Sequence, residues 1–318
     1  MNATDGTTFP RRVGLALIAM ALVVLVLGWW VGVDAFRRVV PGAVSMKANT
    51  AVGFALLGTG LRWPAVRTLA AAALLALGAI TFAQDVFAFN LGIDQLLVTD
   101  PGDRGTGTLG RMAPNTALSF VSLGLAMLAA RFGRLRVAAP WVGIGAINLS
   151  MIAIAGYVLG VQDLYGFGTF TQMAIHTSVA MFVGALAMMW TVRDVSPIRL
   201  IDGHGTATKV LRIDLTLGFF APLVAGWLAR QGVFLDLYSL DLSATMHVMF
   251  AQVMHVLLAL HLGWYVYRAE KQVMDAEAYA VRVRKDADHQ LAQLQTFIER
   301  RERLDRLAVV ENLGNGGD

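Results

Sequence analysis

In a chain that is 56% hydrophobic and only 15% charged, the residues able to do chemistry are the polar ones that interrupt apolar runs. An ionisable or hydrogen-bonding group inside a membrane is a functional candidate by default. One pattern of such groups occurs three times: Met, two variable residues, Asn or His, then Thr. The copies are Met46-Lys47-Ala48-Asn49-Thr50, Met112-Ala113-Pro114-Asn115-Thr116 and Met173-Ala174-Ile175-His176-Thr177, spaced 66 and 61 residues apart. Amide, imidazole and hydroxyl groups both donate and accept hydrogen bonds. Asn49, Thr50, Asn115, Thr116, His176 and Thr177 therefore serve one of two ends: they satisfy free backbone groups at helix starts, where an orphan N–H in lipid costs several kcal/mol, or they contact a ligand. Asp85, beside Gln84, and Asp163, beside Gln162, fall on the same side of the pattern and complete a candidate polar pocket. Asp34 and Asp163 are expected in water at the interface and Asp85 partly buried.

Other chemistries fare worse. There are no cysteines, so disulfides, thiolate zinc sites and thiol catalysis are excluded. Walker A, His-Glu-x-x-His, Gly-x-Ser-x-Gly and dinucleotide-binding glycine patterns are missing, and no catalytic residue is expected. Asp202-Gly203-His204-Gly205 is turn chemistry with a weak metal flavour, and no metal is expected. His247 and His261, with His255 between them, lie fourteen residues apart, a spacing that resembles the haem-binding helices of membrane cytochromes b. No second apolar segment carries a matching pair for the other axial position, and His261 lies among Trp264, Tyr265 and Tyr267, as in an interfacial aromatic belt. Haem stays as an alternative, and the expected cofactor is none.

The elements that must position these groups are membrane helices. A span needs roughly 20 apolar residues, the mean hydropathy is +0.59, and eight segments qualify, near 13–33, 46–61, 68–89, 112–130, 137–160, 172–192, 211–229 and 241–267. A second signature, Gly28-Trp29-x-x-Gly32 and Gly156-Tyr157-x-x-Gly160 with a fainter Gly226-Trp227, closes odd-numbered segments. The reading is an all-α polytopic bundle of four hairpin repeats, the fourth copy of the Met motif having decayed to Leu242-Ser243-Ala244-Thr245-Met246. The repeats are parallel, related by an axis along the membrane normal. Small residues such as Gly53, Gly58, Gly60, Gly143 and Gly145 suit close helix packing. With the N-terminus inside, Lys and Arg in the loops divide eleven inside to six outside, and both termini are expected in the cytoplasm. Asn90 to Arg111 reads as a surface loop rich in turn formers.

After Tyr267 the composition changes to charge and Ala. Val273, Ala280, Ala287 and Leu294 fall seven apart, and Ala276, Val283, Phe297 and Leu304 take the second apolar position, broken by Gln290. This predicts a helix that pairs in a parallel coiled coil, with a single solvated amphipathic helix as the other reading. The expected divisions are a membrane module over 1–267, a coiled-coil helix over 268–310 and a flexible tail over 311–318. Partners follow as the lipid bilayer and a second copy of the chain through this helix; no nucleic-acid partner is expected. His289 lacks the residues that surround a phosphoacceptor histidine.

The Met-x-x-Asn-Thr repeats, the Tyr165-Gly166 turn before the third copy, and Leu223-Val224-Ala225-Gly226-Trp227 leading through a last helix into a charged coil resemble the multi-spanning N-terminal input module of bacterial sensor histidine kinases. Similar modules head PAS-domain proteins and diguanylate cyclases. The resemblance covers about residues 12–275. It implies a sensory module of a bacterial inner membrane, without its own catalytic domain, that works with a kinase or cyclase output domain as a fragment, a truncated relative or a stand-alone partner. A small-solute transporter or channel is the competing class.

Overall fold

The computed structural model describes residues 5–39, 42–102, 106–166, 170–196, 198, 201 and 205–314. Arg104, the turns at Pro197 and Asp202-Gly203-His204, and residues 315–318 lie outside them. The described residues form helices and turns without strands. In chain order the helices are α1 (Asp5–Leu22, continued in π geometry over Val23–Trp30), a single turn α2 (Asp34–Arg37), α3 (Ala48–Arg62), α4 (Arg67–Val86), α5 (Pro114–Ala129), α6 (Ala139–Leu159), α7 (Ile175–Thr191), α8 (Thr206–Phe234) and α9 (Leu240–Gly314). Each segment expected to be apolar coincides with one of these. Five stretches are long and apolar enough to cross a membrane: Thr8–Trp30, Pro64–Val86, Ala139–Leu159, Thr208–Phe234 and Leu242–Gln295. The helices that begin at the Met motif are shorter, at 15 to 17 residues. At 1.5 Å per residue they reach only about 22–26 Å, less than a hydrocarbon core of about 30 Å.

Their shortness goes with their place. α3, α5 and α7 touch one another and form the centre; in α3, for example, ten of the 15 residues are buried. The longer helices fill the outer grooves: α1 packs against α3 and α7, α4 against α3 and α5, and α6 against α5 and α7. Small residues permit these approaches, since without a hydrophobic drive in lipid the helices must gain by contact. A Cβ on Gly14 would lie 2.6 Å from the Gly58 carbonyl oxygen across the α1–α3 crossing, a separation no larger residue tolerates. Gly143 differs, with no atom nearer than 3.6 Å. The contiguous apolar core holds Phe54, Leu57, Phe120, Leu123, Met181 and their neighbours, and its last buried member is Val192.

α8 packs on α6, and only 6% of its most apolar stretch is buried, the rest being half-buried or exposed. Its Pro222 lies inside a continuous helix. The chain divides into two compact units, Met1–Gln252 and Val253–Asp318. In the second, α9 continues through the charged stretch without a break, and the apolar positions Val273, Val283 and Leu294 are exposed along it, as are Ala280 and Ala287. The side chains of Phe297 and Leu304 are outside the described set.

Candidate functional site at the motif end of the bundle

All three Met motifs fold alike. The second residue, Lys47, Ala113 or Ala174, is extended with ψ of 153°, 146° or 150°, and the helix begins at the third. The carbonyl of that second residue then accepts the first helical bond, from Ala51, Ala117 or Ser178. None of the three starts has a side-chain cap from its N-cap residue. Instead Asn115 Oδ1 accepts from the Thr116 N–H at 3.0 Å while its Nδ2 donates to the Tyr165 carbonyl at 3.4 Å, so one amide serves both the helix start and the neighbouring hairpin.

The Gly-aromatic signature clasps the motif from the preceding helix. Trp29 Nε1 donates to the Met46 carbonyl at 3.0 Å and the Tyr157 hydroxyl donates to the Met173 carbonyl at 2.7 Å. The Met N–H groups in turn donate to the carbonyls of Arg37 at 2.8 Å and Tyr165 at 2.7 Å. The side chains of those acceptor residues lie over the same rings: Arg37 sits 5.0 Å above Trp29, and Tyr165 stacks on Tyr157 at 4.0 Å. Both glycines of the signature now have reasons. A Cβ on Gly28 would meet Arg37 at 2.9 Å and one on Gly156 would meet Tyr165 at 2.9 Å. Gly32 and Gly160 have φ of +85° and +62°, the left-handed conformation that ends a helix cheaply only at glycine. In α8 the corresponding position after Gly226 is Arg230, and the helix runs on to Phe234.

Between these clasps lies a buried charge network. Lys47 Nζ pairs with Asp100 at 2.8 Å and donates to Thr106 Oγ1 at 2.6 Å. Asp100 also accepts from the N–H groups of Gly102 at 2.9 Å and Gly110 at 2.8 Å. Burial pushes the Asp100 carboxyl up, but the Lys47 ammonium and the two N–H donors outweigh it and hold the group below the usual carboxylate range. Arg111 reaches Asp94 at 2.8 Å and Asp85 at 3.1 Å, with Gln84 Oε1 at 3.3 Å. Asn49 Nδ2 touches Asp94 at 3.5 Å, at the edge of a hydrogen bond. The long loop is largely exposed, as its turn formers suggest, but Asp94 and Asp100 within it are buried, because two buried cations require counter-charges. The Thr171 hydroxyl, accepting from the Gly107 and Thr108 N–H groups, fastens the loop to the third hairpin.

Of the residues singled out from sequence, Asn49 and Asp85 enter this network. Thr50, Thr116 and Thr177 are buried beside it at the helix starts. His176 is partly buried, and neither ring nitrogen, both shielded from solvent, finds a partner among the described residues. Asp163 is exposed and stands apart; Asp34 pairs with Arg37 and Arg38. Lys47, Asp94, Asp100, Arg111 and Gln84 were not marked by spacing, although Lys47 lies within the first motif and Arg111 immediately precedes the second. Asn49 Oδ1, Asp85 Oδ2 and Gln84 Nε2 are buried without partners among the described residues. Two acceptors and a donor inside a set of one arginine and two carboxylates can hold a proton or a small polar guest. The described residues contain no group of three or more metal-ligating side chains. No family model, curated protein or solved structure matches the chain.

Proposed function

We propose that the chain is a membrane sensory input and transmission module of the kind that precedes histidine kinase or diguanylate cyclase output domains, with eight spans in four parallel hairpins and both termini in the cytoplasm of a bacterial inner membrane. The carrying observation is α9, which begins apolar at Leu240 and runs through the charged stretch to Gly314, so an apolar segment and a candidate coiled-coil seam lie in one continuous helical stretch of sequence. The repeat reading draws support from the equal hydrogen bonds at Met46 and Met173 and from the alternation of inner and outer helices. In this reading a stimulus at the motif end shifts the bundle between two packings that differ by a few kcal/mol, and α9 passes the movement to a paired coil seamed by Val273, Ala280, Val283, Ala287 and Leu294. The unmatched atoms of the charge network are the natural receiver of a proton or polar ligand.

The test is the oligomeric state in native-like lipid of the full chain and of a chain ending after Tyr267. A dimer that depends on the tail is expected. An oligomer indifferent to the tail, or a monomer in both cases, would sink the transmission reading and favour transport.

A further inference from the structure

A separate cavity of about 470 Å³ lies between the end of α6, the last turns of α8 and the first turns of α9. Its size falls in the range of about 300–1,000 Å³ typical of small-molecule sites, which are apolar with a few convergent polar groups. Here the apolar walls include Leu159, Val233 and Phe234, and the polar groups are Arg230, Ser243 and His247; among the described residues no acidic side chain lines it. Arg230 donates to the Leu159 carbonyl at the end of α6, which uses one of the five N–H donors of a guanidinium. Gly160 seats that guanidinium, for a Cβ there would lie 2.8 Å from it. His247 is held against Gly226, where a Cβ would come within 2.8 Å of the ring, and its Nδ1 is buried with no partner among the described residues.

A cation with no carboxylate beside it among the described residues, an imidazole nitrogen with no partner among them and a buried hydroxyl meet in one largely apolar cavity and call for an anionic acceptor. The apolar walls call for hydrocarbon attached to it, since a bare ion would leave them unfilled. α8 supplies the surroundings: few residues of its most apolar stretch are buried by protein. We infer that this cavity binds an acidic phospholipid, its phosphate held by Arg230 with Ser243 and His247 and an acyl chain lying along Leu159, Val233 and Phe234. Arginine suits a phosphate because its planar fork matches two oxygens at once. This inference goes beyond the sensory reading and does not depend on it.

The experiment is native mass spectrometry of the full chain in detergent, titrated with phosphatidylglycerol, phosphatidylcholine, oleate and inorganic phosphate. Phosphatidylglycerol is expected to bind about tenfold more tightly than phosphatidylcholine, and Arg230→Gln to remove about that factor, with Arg230→Lys restoring part of it. Ala244→Phe, which fills the cavity without touching the cation, is expected to abolish binding while circular dichroism and thermal unfolding stay unchanged; it carries the test if the Arg230 variant misfolds. Equal retention of the two phospholipids, or binding untouched by Ala244→Phe, overturns the inference. So does competition by free phosphate at the affinity of the lipid, which would make this an ion site, or binding of oleate without phosphatidylglycerol.

Discussion

Lys47 and Arg111 are the residues on which the motif end turns. A buried ion pair contributes little net stability over an apolar pair of similar shape, but breaking it leaves a charge unmatched at about 3–5 kcal/mol. Lys47→Met alone is therefore expected to lower stability by about that amount, because Asp100 keeps its burial and loses its ammonium. The double change Lys47→Met with Asp100→Asn, which removes both charges and keeps an acceptor for the Gly102 and Gly110 N–H groups, is expected to lie nearer the parent protein, and thermal unfolding of the three proteins in the same detergent decides it. The same pair sets an acid limit. The folded carboxyl of Asp100 lies below its unfolded value, so its contribution is complete above the unfolded value of about 3.9 and disappears as pH falls through the folded one. The melting temperature of the parent should drop on acidification below about pH 4 more steeply than that of the double variant; parallel profiles would contradict the assignment. Asp85 was legible in the sequence as a carboxylate too deep to be idle, and Asn49 as a polar residue in an apolar run. Their partners were not, because Asp94 and Asp100 sit among turn formers that imply water. Only the folded loop brings them to Lys47 and Arg111.

At the scale of elements, the hairpin clasp explains why two short patterns separated by a loop travel together. The glycine before the aromatic residue makes room for the side chain that stacks on the ring, the aromatic polar atom holds the Met carbonyl, and the left-handed glycine four residues on turns the chain toward it. Gly156→Val should displace Tyr165 from Tyr157 and cost about 1–3 kcal/mol, as overpacking does, with Gly156→Ala intermediate. Gly143→Ala, in a helix of the same bundle but with open space around it, should change stability by less than about 1 kcal/mol in either direction. Comparable losses in both would refute the steric account of the signature. Spacing alone revealed the three motifs, the two strong signatures and the long apolar helices, though not the short α2, because each rests on local requirements: apolar length, a helix start, a left-handed turn. It did not reveal that the fourth hairpin lacks the clasp. The presence of Arg230 where Gly32 and Gly160 stand in the first and third hairpins was the visible clue, and it matters because a residue with a Cβ lets α8 continue instead of turning.

The whole molecule then divides by how its helices are covered. α3, α5 and α7 are central, α1, α4 and α6 occupy the grooves around them, and together they close a ring whose buried apolar core ends at Val192. α8 touches this ring through α6 and leaves its apolar surface to its surroundings. Stability resides where apolar contacts are dense, and sparsely covered elements open at lower free energy. A chain ending at Ser196 should therefore retain the six-helix ring, with a melting temperature in detergent within a few degrees of the full chain. A chain beginning after α1 should fail to fold, because α3 and α7 would both lose the helix that fills their shared groove. The comparison separates two designs. If the shortened chain melts like the parent, the ring is the scaffold that holds the charge network, and α8 and α9 are free to shift against it with little loss of core, which a transmitting element requires. If it collapses, α8 is part of the scaffold despite its exposure, and any movement conveyed to α9 would have to carry the core with it.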